Sequence, residues 1–336
     1  MNDRRRERIG VVGAGAWGTA LAQALASDGG DVLIWAREAE LVEGINRDRA
    51  NRLYLPSATL SDGVSATGDL AEMGGLSALL LVVPAQFLAG VLAGLPDAPR
   101  DLVLCAKGIE DATGLLMHEV AHELRPEAPI AVLSGPTFAH EVAAGLPTAV
   151  TLACADGEAQ WARLSPLIAR PCLRPYYSDD VIGAEIGGAV KNVLAIACGV
   201  VEGLGLGQNA RAALIARGYA EMLRFGLARG ARADTLAGLC GLGDLVLTCS
   251  STSSRNFSLG KALGEGRSAA EALSGKASVA EGAATAPVLA DLARRAAVDM
   301  PIVEAVCRLL DGSAPAREVV SQLLARPLKA EREHLA

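Results

Sequence analysis

The residues best suited to chemistry in this 336-residue chain are a lysine and an amide on an otherwise apolar stretch. Gly183-Ala-Glu-Ile-Gly187-Gly188-Ala-Val-Lys191-Asn192 runs on into Val-Leu-Ala-Ile-Ala197. A lysine removed from water loses proton affinity, because burial disfavours its charged form, and it can then exchange a proton near neutral pH. Reduction of a ketone needs such a proton for the developing alkoxide. The alternative is a lysine whose stem lies along the helix and whose ammonium reaches solvent. A second group comprises Cys240-Gly-Leu-Gly-Asp244-Leu and Thr248-Cys-Ser-Ser-Thr-Ser-Ser254-Arg255-Asn256. It reads as a polar, glycine-bearing interruption among helical segments. Its hydroxyls, guanidinium and amide suit a phosphate or hydroxyl-rich ligand, a solvated serine-rich loop being the alternative. His118-Glu119-Val-Ala-His122 fits the H-E-x-x-H zinc pattern, with Glu141 conceivable as a third ligand. That stretch reads instead as a crossover helix on the outside of a sheet, ended by Pro126, and no metal is expected there.

These residues need a scaffold, and the opening stretch supplies its signature. Arg8-Ile-Gly-Val-Val-Gly13-Ala-Gly15-Ala16-Trp17-Gly18 is a short β-branched run followed by Gly-x-Gly-x-x-Gly, after which the apolar spacing turns helical through Leu21, Ala24 and Leu25. This is the strand–turn–helix context of a dinucleotide site. Gly13 allows the tight turn, Gly15 the approach of a pyrophosphate, and Gly18 close packing of helix on strand. Asp31–Trp35 predicts the second strand. Where a ribose-binding acid usually stands the chain has Ala36-Arg37, so a 2′-phosphate, and hence NADP, is favoured; Glu38 next door keeps NAD open. Further strands are predicted at Val64–Thr67, Ala78–Val83, Asp101–Ala106, Ile130–Leu133, Pro147–Ala153 and Leu173–Tyr176. Three distinctive loops follow predicted strand ends: Val83–Gln86, Ala106-Lys107-Gly108 and Ser134-Gly135-Pro-Thr137-Phe-Ala139. From Asp180 onward the pattern is helical, clearest at Gly183–Glu202, Arg211–Gly226, Ala286–Ala296, Ile302–Leu310 and Arg317–Leu324. The expected fold is α/β: a Rossmann-like doubly wound domain over 1–179, then an all-helical domain over 180–336, with a cleft between them.

Composition narrows the partners. The net charge of −7 argues against a general binder of nucleic acid or membrane surfaces, so an anionic substrate needs a local basic cluster. Aromatics make up only 3%, which leaves aliphatic cores. Seven scattered cysteines without a Cys-x-x-Cys pair suit a reducing cytoplasm. Arg4-Arg5-Arg6 and the apolar residues after it imitate a secretory signal, but Gly10, Gly13, Gly15 and Gly18 interrupt them. No apolar run is expected to reach the ~20 residues that span a bilayer. Taken as residues alone, the chain could also be a hydroxy-acid dehydrogenase or a nucleotide sensor without turnover. A homodimer is the default assembly for a soluble enzyme.

Across nearly its whole length the chain resembles bacterial NAD(P)-dependent glycerol-3-phosphate dehydrogenase. The resemblance rests, in order, on Gly13–Ala20, Ala106-Lys-Gly108, Ser134–Ala139, Gly187–Asn192, Glu202–Leu214, Gly241–Leu245, Ser254-Arg-Asn256 and Val279-Ala-Glu-Gly282. It implies reversible reduction of dihydroxyacetone phosphate to sn-glycerol 3-phosphate, a product that feeds phospholipid synthesis. It also implies Lys191 as proton donor and acceptor, and Lys107 in contact with both cofactor and substrate. Gly135 and Thr137 would line the substrate site, and Asp244, Ser254, Arg255 and Asn256 would hold the glycerol phosphate. Ala16, Trp17, Arg37, Ala139, Arg255, Val279 and Glu281 match cofactor-contacting positions. Two departures bear on cofactor affinity and pH response: Ala16 where serine is frequent, and His140 where lysine is common.

Overall fold

The computed structural model describes residues 9–97, 100–274 and 280–327. Eight strands form one sheet: β1 (Ile9–Val12), β2 (Val32–Trp35), β3 (Val64–Thr67), β4 (Ala78–Leu81), β5 (Asp101–Leu104), β6 (Ile130–Ser134), β7 (Thr148–Cys154) and β8 (Leu173–Ser178). Their order is β3-β2-β1-β4-β5-β6-β7-β8. The first six are parallel, in the doubly wound order that reverses between β1 and β4. β1, β4 and β5 are buried at every residue, which accounts for runs as apolar as Ala78-Leu-Leu-Leu81. β7 then pairs antiparallel with β6 and parallel with β8, extending the sheet at that edge. Helices α1 (Ala16–Leu25), α2 (Ala39–Asp48), α3 (Leu88–Gly94), α4 (Met117–Leu124), α5 (Ala139–Ala143) and α6 (Gly157–Ile168) lie in the connections.

The rest is helical: α7 (Val181–Gly203), α8 (Gly207–Ala228), α9 (Ala233–Ala237), α10 (Asp244–Thr248), α11 (Arg255–Gly264), α12 (Ala269–Leu273), α13 (Glu281–Arg295), α14 (Pro301–Leu310) and α15 (Ala316–Leu324). The chain divides into two compact units, Met1–Ala106 with Met117–Val181 and Lys107–Leu116 with Ile182–Ala336. Ile109 and Leu116 are buried in the hydrophobic core of the helical unit, so the loop after β5 belongs to that core.

Two expectations need correction. α7 is long and apolar enough, by length and composition, to cross a membrane; 94% of its most apolar stretch is buried within the protein. Gly187 and Gly188 lower its apparent apolarity in sequence without interrupting the helix. The expected polar interruption is itself mostly helical. α9 runs into a π-helical turn, Leu239–Gly243, which leads directly into α10. Ser254 accepts a hydrogen bond from the Phe257 N–H as the N-cap of α11. Glycine reads as loop in isolation, but packing overrides that propensity at Gly241 and Gly243, while the serine run at 249–254 stays outside the helices.

One buried carboxylate ties two helices of the core together. Glu221 of α8 is 2% exposed and accepts the N–H groups of Ile302 (2.7 Å) and Val303 (3.3 Å), the first free donors of α14 after Pro301. Burial pushes its carboxyl up to about 8; the two N–H groups and Arg224 oppose the rise, and Asp299 adds to it. An unfolded glutamate titrates near 4.3, so between about 4.3 and about 8 folding takes up a proton and stability falls as pH rises. Glu221→Gln keeps an acceptor for α14 without an ionisation to suppress. Urea unfolding from pH 5 to 8.5 is expected to show the parent losing stability relative to the variant as pH increases. Parallel curves across that range would exclude the linkage.

Candidate active site

In the sheet unit three glycines set the geometry of the turn after β1. Gly13 adopts φ +116°, and its N–H bonds to the Trp35 carbonyl at 3.1 Å, joining the turn to β2. A Cβ on Gly18 would stand 1.8 Å from the Gly13 carbonyl oxygen, so α1 can approach the turn only with glycine there. A Cβ on Gly15 would meet nothing within 4 Å among the described residues: this is the open side of the turn. Gly15 is also the N-cap of α1 and supplies no side chain to its leading N–H groups. Bare backbone, a free helix start and open space together fit a pyrophosphate. Beneath the turn, the buried Asn51 donates to the Ala14 carbonyl and the Thr19 hydroxyl, each at 2.8 Å.

Ala16 and Trp17 form the first turn of α1, and the buried Trp17 Nε1 has no hydrogen-bond partner among the described residues. Trp17 and Ala139 pack on the same small cluster, Ala20, Ala24, Leu55 and Val142. Gly135 follows β6, where a Cβ would lie 2.9 Å from the Val150 Cα; the Thr137 hydroxyl donates to the Gly135 carbonyl at 3.3 Å. Arg37 follows β2, its side chain 74% exposed and paired with Glu38 at 2.9 Å. His118 and His122 lie on α4, and among the described residues no three His, Cys, Asp or Glu side chains gather as a metal site.

The helical unit holds the charged cluster. Asp244, 1% exposed at the start of α10, faces two ammonium groups: Lys107 Nζ at 2.7 Å from Oδ2 and Lys191 Nζ at 3.1 Å from Oδ1. Lys191 also donates to the Thr248 hydroxyl at 2.9 Å, and that hydroxyl donates to Asp244 Oδ1 at 3.0 Å. Asp244 and Thr248 are one helical turn apart, so both reach the same lysine. Two of the three hydrogens on Lys191 Nζ thus have protein partners among the described residues, which leaves one direction for a ligand oxygen. Burial pulls the Lys191 amine down to about 8 against the support of Asp244, with Lys107 adding to the fall. Burial raises the Asp244 carboxyl, but the two ammonium groups outweigh it and hold it below its ordinary value.

A line of amides runs beside this cluster. The Gly282 N–H donates to Asn256 Oδ1 at 3.0 Å, Asn256 Nδ2 to Asn192 Oδ1 at 2.9 Å, and Asn192 Nδ2 to the Lys107 carbonyl at 2.9 Å. Arg255 is the exposed first residue of α11, between the capping Ser254 and buried Asn256. Glu281 opens α13, and Val279 lies outside the described residues. Lys107, Lys191, Asp244 and Asn256 are therefore joined in the helical unit, while the glycine turn, Arg37, Gly135, Thr137 and Ala139 belong to the sheet unit. Sequence reasoning placed Thr248 in the polar stretch but missed its tie to Lys191 and Asp244, for which the i+4 spacing is a usable signal, and it missed Asn51, a loop residue without one. Replacing Asp244 by Asn leaves two close, buried cations without their shared anion; a loss of ~3–5 kcal/mol is expected in urea unfolding at pH 7. A loss under about 1 kcal/mol, the scale of a surface pair, would show that the cluster is solvated.

The residues of this chain match two halves of one family. Residues 8–160 match the N-terminal model of NAD-dependent glycerol-3-phosphate dehydrogenase, and 180–321 match the C-terminal model. A glycerol-3-phosphate dehydrogenase [NAD(P)+] of Erythrobacter litoralis is 70% identical over 325 residues, 97% of this chain and 98% of its own. Another, from Novosphingobium aromaticivorans, is 72% identical over 323 residues, 96% of this chain and 98% of its own. The crystal structure of glycerol-3-phosphate dehydrogenase from Coxiella burnetii superposes with a TM-score of 0.91 at 40% identity, covering 96% of this chain and 99% of that one. With both halves matched in order, the chain belongs to the NAD-dependent glycerol-3-phosphate dehydrogenase family.

Proposed function

We propose that the chain reversibly reduces dihydroxyacetone phosphate to sn-glycerol 3-phosphate, with Lys191 as proton donor and acceptor. The observation that carries this reading is the buried Lys191 amine, brought down to about 8 by burial and held in place by Asp244 and Thr248. The glycine turn Gly13–Gly18 is the seat of the dinucleotide, on the evidence of its open side and bare helix start. When bound, the dinucleotide supplies or takes the hydride. Trp17, Ala139, Val279 and Glu281 complete its contacts, and Arg37 selects a 2′-phosphate, making NADP the favoured form.

Lys191 gives a proton to the carbonyl oxygen as it gains negative charge. Asp244 remains ionised throughout, holding Lys191 in place and offsetting the charge of Lys107. Lys107 places a second positive charge beside the oxygen. Arg255, Ser254 and Asn256 hold the phosphate, with Gly135 and Thr137 lining the remainder, so binding energy far from the carbonyl is used for orientation. In the oxidative direction the neutral Lys191 amine takes the hydroxyl proton. The seven thiols, none in a disulfide, fit a reducing cytoplasm. The product feeds glycerophospholipid synthesis, and a homodimer is the expected assembly.

Initial rates with dihydroxyacetone phosphate and each reduced cofactor test the reading directly; no oxidation of either cofactor would sink it. Lys191→Ala is expected to lower turnover ~10²–10⁴-fold, the usual worth of general acid help, with little change in dinucleotide binding by fluorescence titration. The pH profiles carry opposite signs. Reduction needs the ammonium and declines as pH rises through about 8; oxidation needs the amine and increases over the same range. Arg37→Ala is expected to raise KM for NADPH ~10-fold, in line with loss of a charge-assisted hydrogen bond, and to leave KM for NADH unchanged. Equal changes for both cofactors would remove the 2′-phosphate assignment.

A further inference from the structure

Asp244 reaches its lysines because of how the turn before it is seated. The Gly243 N–H bonds back five residues to the Gly238 carbonyl at 3.0 Å, winding an extra residue into the π-turn Leu239–Gly243. Such insertions are frequent at functional sites. This turn lies directly on α7: a Cβ on Gly187 would stand 2.5 Å from the Cys240 carbonyl oxygen and 3.0 Å from the Gly241 Cα. Backbone meets backbone, with no side chain between. Gly187 precedes Lys191 by four residues and lies on the same helix face one turn earlier. We propose that Gly187 is a positioning residue for proton transfer: its bare Cα seats the π-turn against α7, and that seat sets the reach of Asp244 to Lys191 and Lys107. The proposal rests on the reading of Lys191 as proton donor.

A methyl group at 187 forces the Cys240 carbonyl from 2.5 Å towards the 3.4 Å at which ordinary contact begins. Asp244 follows that turn without a break, so its 3.1 Å contact with Lys191 lengthens beyond hydrogen-bond range. Four influences act on the Lys191 amine. Asp244 from α10 and Glu281 from α13 favour the ammonium, while Lys107 and burial disfavour it. The Cys249 thiol, at the end of α10, also lies in the field of Lys191 and Asp244. Retreat of Asp244 removes the nearest support and leaves burial in place, so the amine titrates lower.

The test is the pH dependence of turnover in the reductive direction at saturating cofactor, for the parent, Gly187→Ala and Gly199→Ala. Gly199 is the comparator on the same helix: a Cβ there would stand 2.0 Å from the Phe257 carbonyl of α11, away from the π-turn. Gly187→Ala is expected to lose up to ~10²-fold in turnover, as misplacement on the ångström scale does. Its midpoint moves about one unit to lower pH, a ~10-fold loss of proton affinity. Gly199→Ala loses thermal stability but keeps the parent's midpoint. Adding Asp244→Glu, which lengthens the carboxylate's reach, to Gly187→Ala moves the midpoint back towards the parent. A Gly187→Ala midpoint equal to the parent's, or an equal shift in Gly199→Ala, overturns the proposal. Should Gly187→Ala not fold, Cys240→Ala replaces it, removing the 3.5 Å thiol contact to the Thr235 carbonyl that ties the turn to α9. A smaller shift in the same direction supports the seat, and an unchanged midpoint refutes it. Failure of the underlying reading is distinct: Lys191→Ala would then keep the parent's turnover and profile.

Discussion

A carboxylate with 1% exposure set between two ammonium groups is the arrangement to which the helical unit answers. Burying an anion is costly unless its charge and its lone pairs are met inside the protein. Asp244 meets that condition only if three segments distant in sequence arrive together: the loop after β5, the middle of α7 and the start of α10. The chain secures each with backbone rather than with further charge. Asn192 fixes the Lys107 carbonyl, and the π-turn abuts α7 at a glycine. The remaining hydroxyl, Thr248, spans anion and cation at once. Net positive charge survives at the centre, as an anionic substrate and a developing alkoxide require.

The two units solve their binding problems by different means. In the sheet unit the recognising surface is peptide, so what matters is which side chains are absent: Gly13 for its φ, Gly18 for its closeness to Gly13, and Gly15 for the space above it. In the helical unit the recognising groups are side chains held by other side chains, with nearly every polar atom spoken for. A surface of peptide N–H groups has no proton to titrate at physiological pH, whereas the Lys191 cluster does. Sensitivity to pH is thereby concentrated in the helical unit.

Much of this could be read from residues alone, for identifiable reasons. Val64–Thr67, the strand hardest to see in the sequence because only its two end residues are β-branched, is a strand with the expected bounds. The glycine turn was legible because each glycine answers a separate steric demand. Lys191 stood out as a charge on an apolar helix. The stretch from Cys240 to Asn256 reads as a polar interruption and is one only in part: Gly241 and Gly243 favour loops when taken singly, yet against α7 they form a π-turn that runs into α10, whereas residues 249–254 stay outside the helices until Ser254 caps α11. A π-turn leaves no mark in composition, since it is one residue more than a periodic pattern expects. Asn51 supports the glycine turn from more than 30 positions away, |i−j| = 37 to Ala14, beyond the reach of any local pattern. The apolar length of α7 was hidden by its five glycines, which lower hydropathy while leaving the helix intact.

The short excursion Lys107–Leu116 has a consequence for how the protein is made. It is the only piece of the helical unit to precede Val181, and its lysine must wait for a partner 137 positions later. During synthesis the sheet's first five strands emerge with this segment already out, while the core that will bury Ile109 and Leu116 does not yet exist. The charged centre is therefore assembled late, after about three-quarters of the chain has been translated, and a truncation between Lys191 and Asp244 yields a product with both lysines of the cluster and not their shared carboxylate.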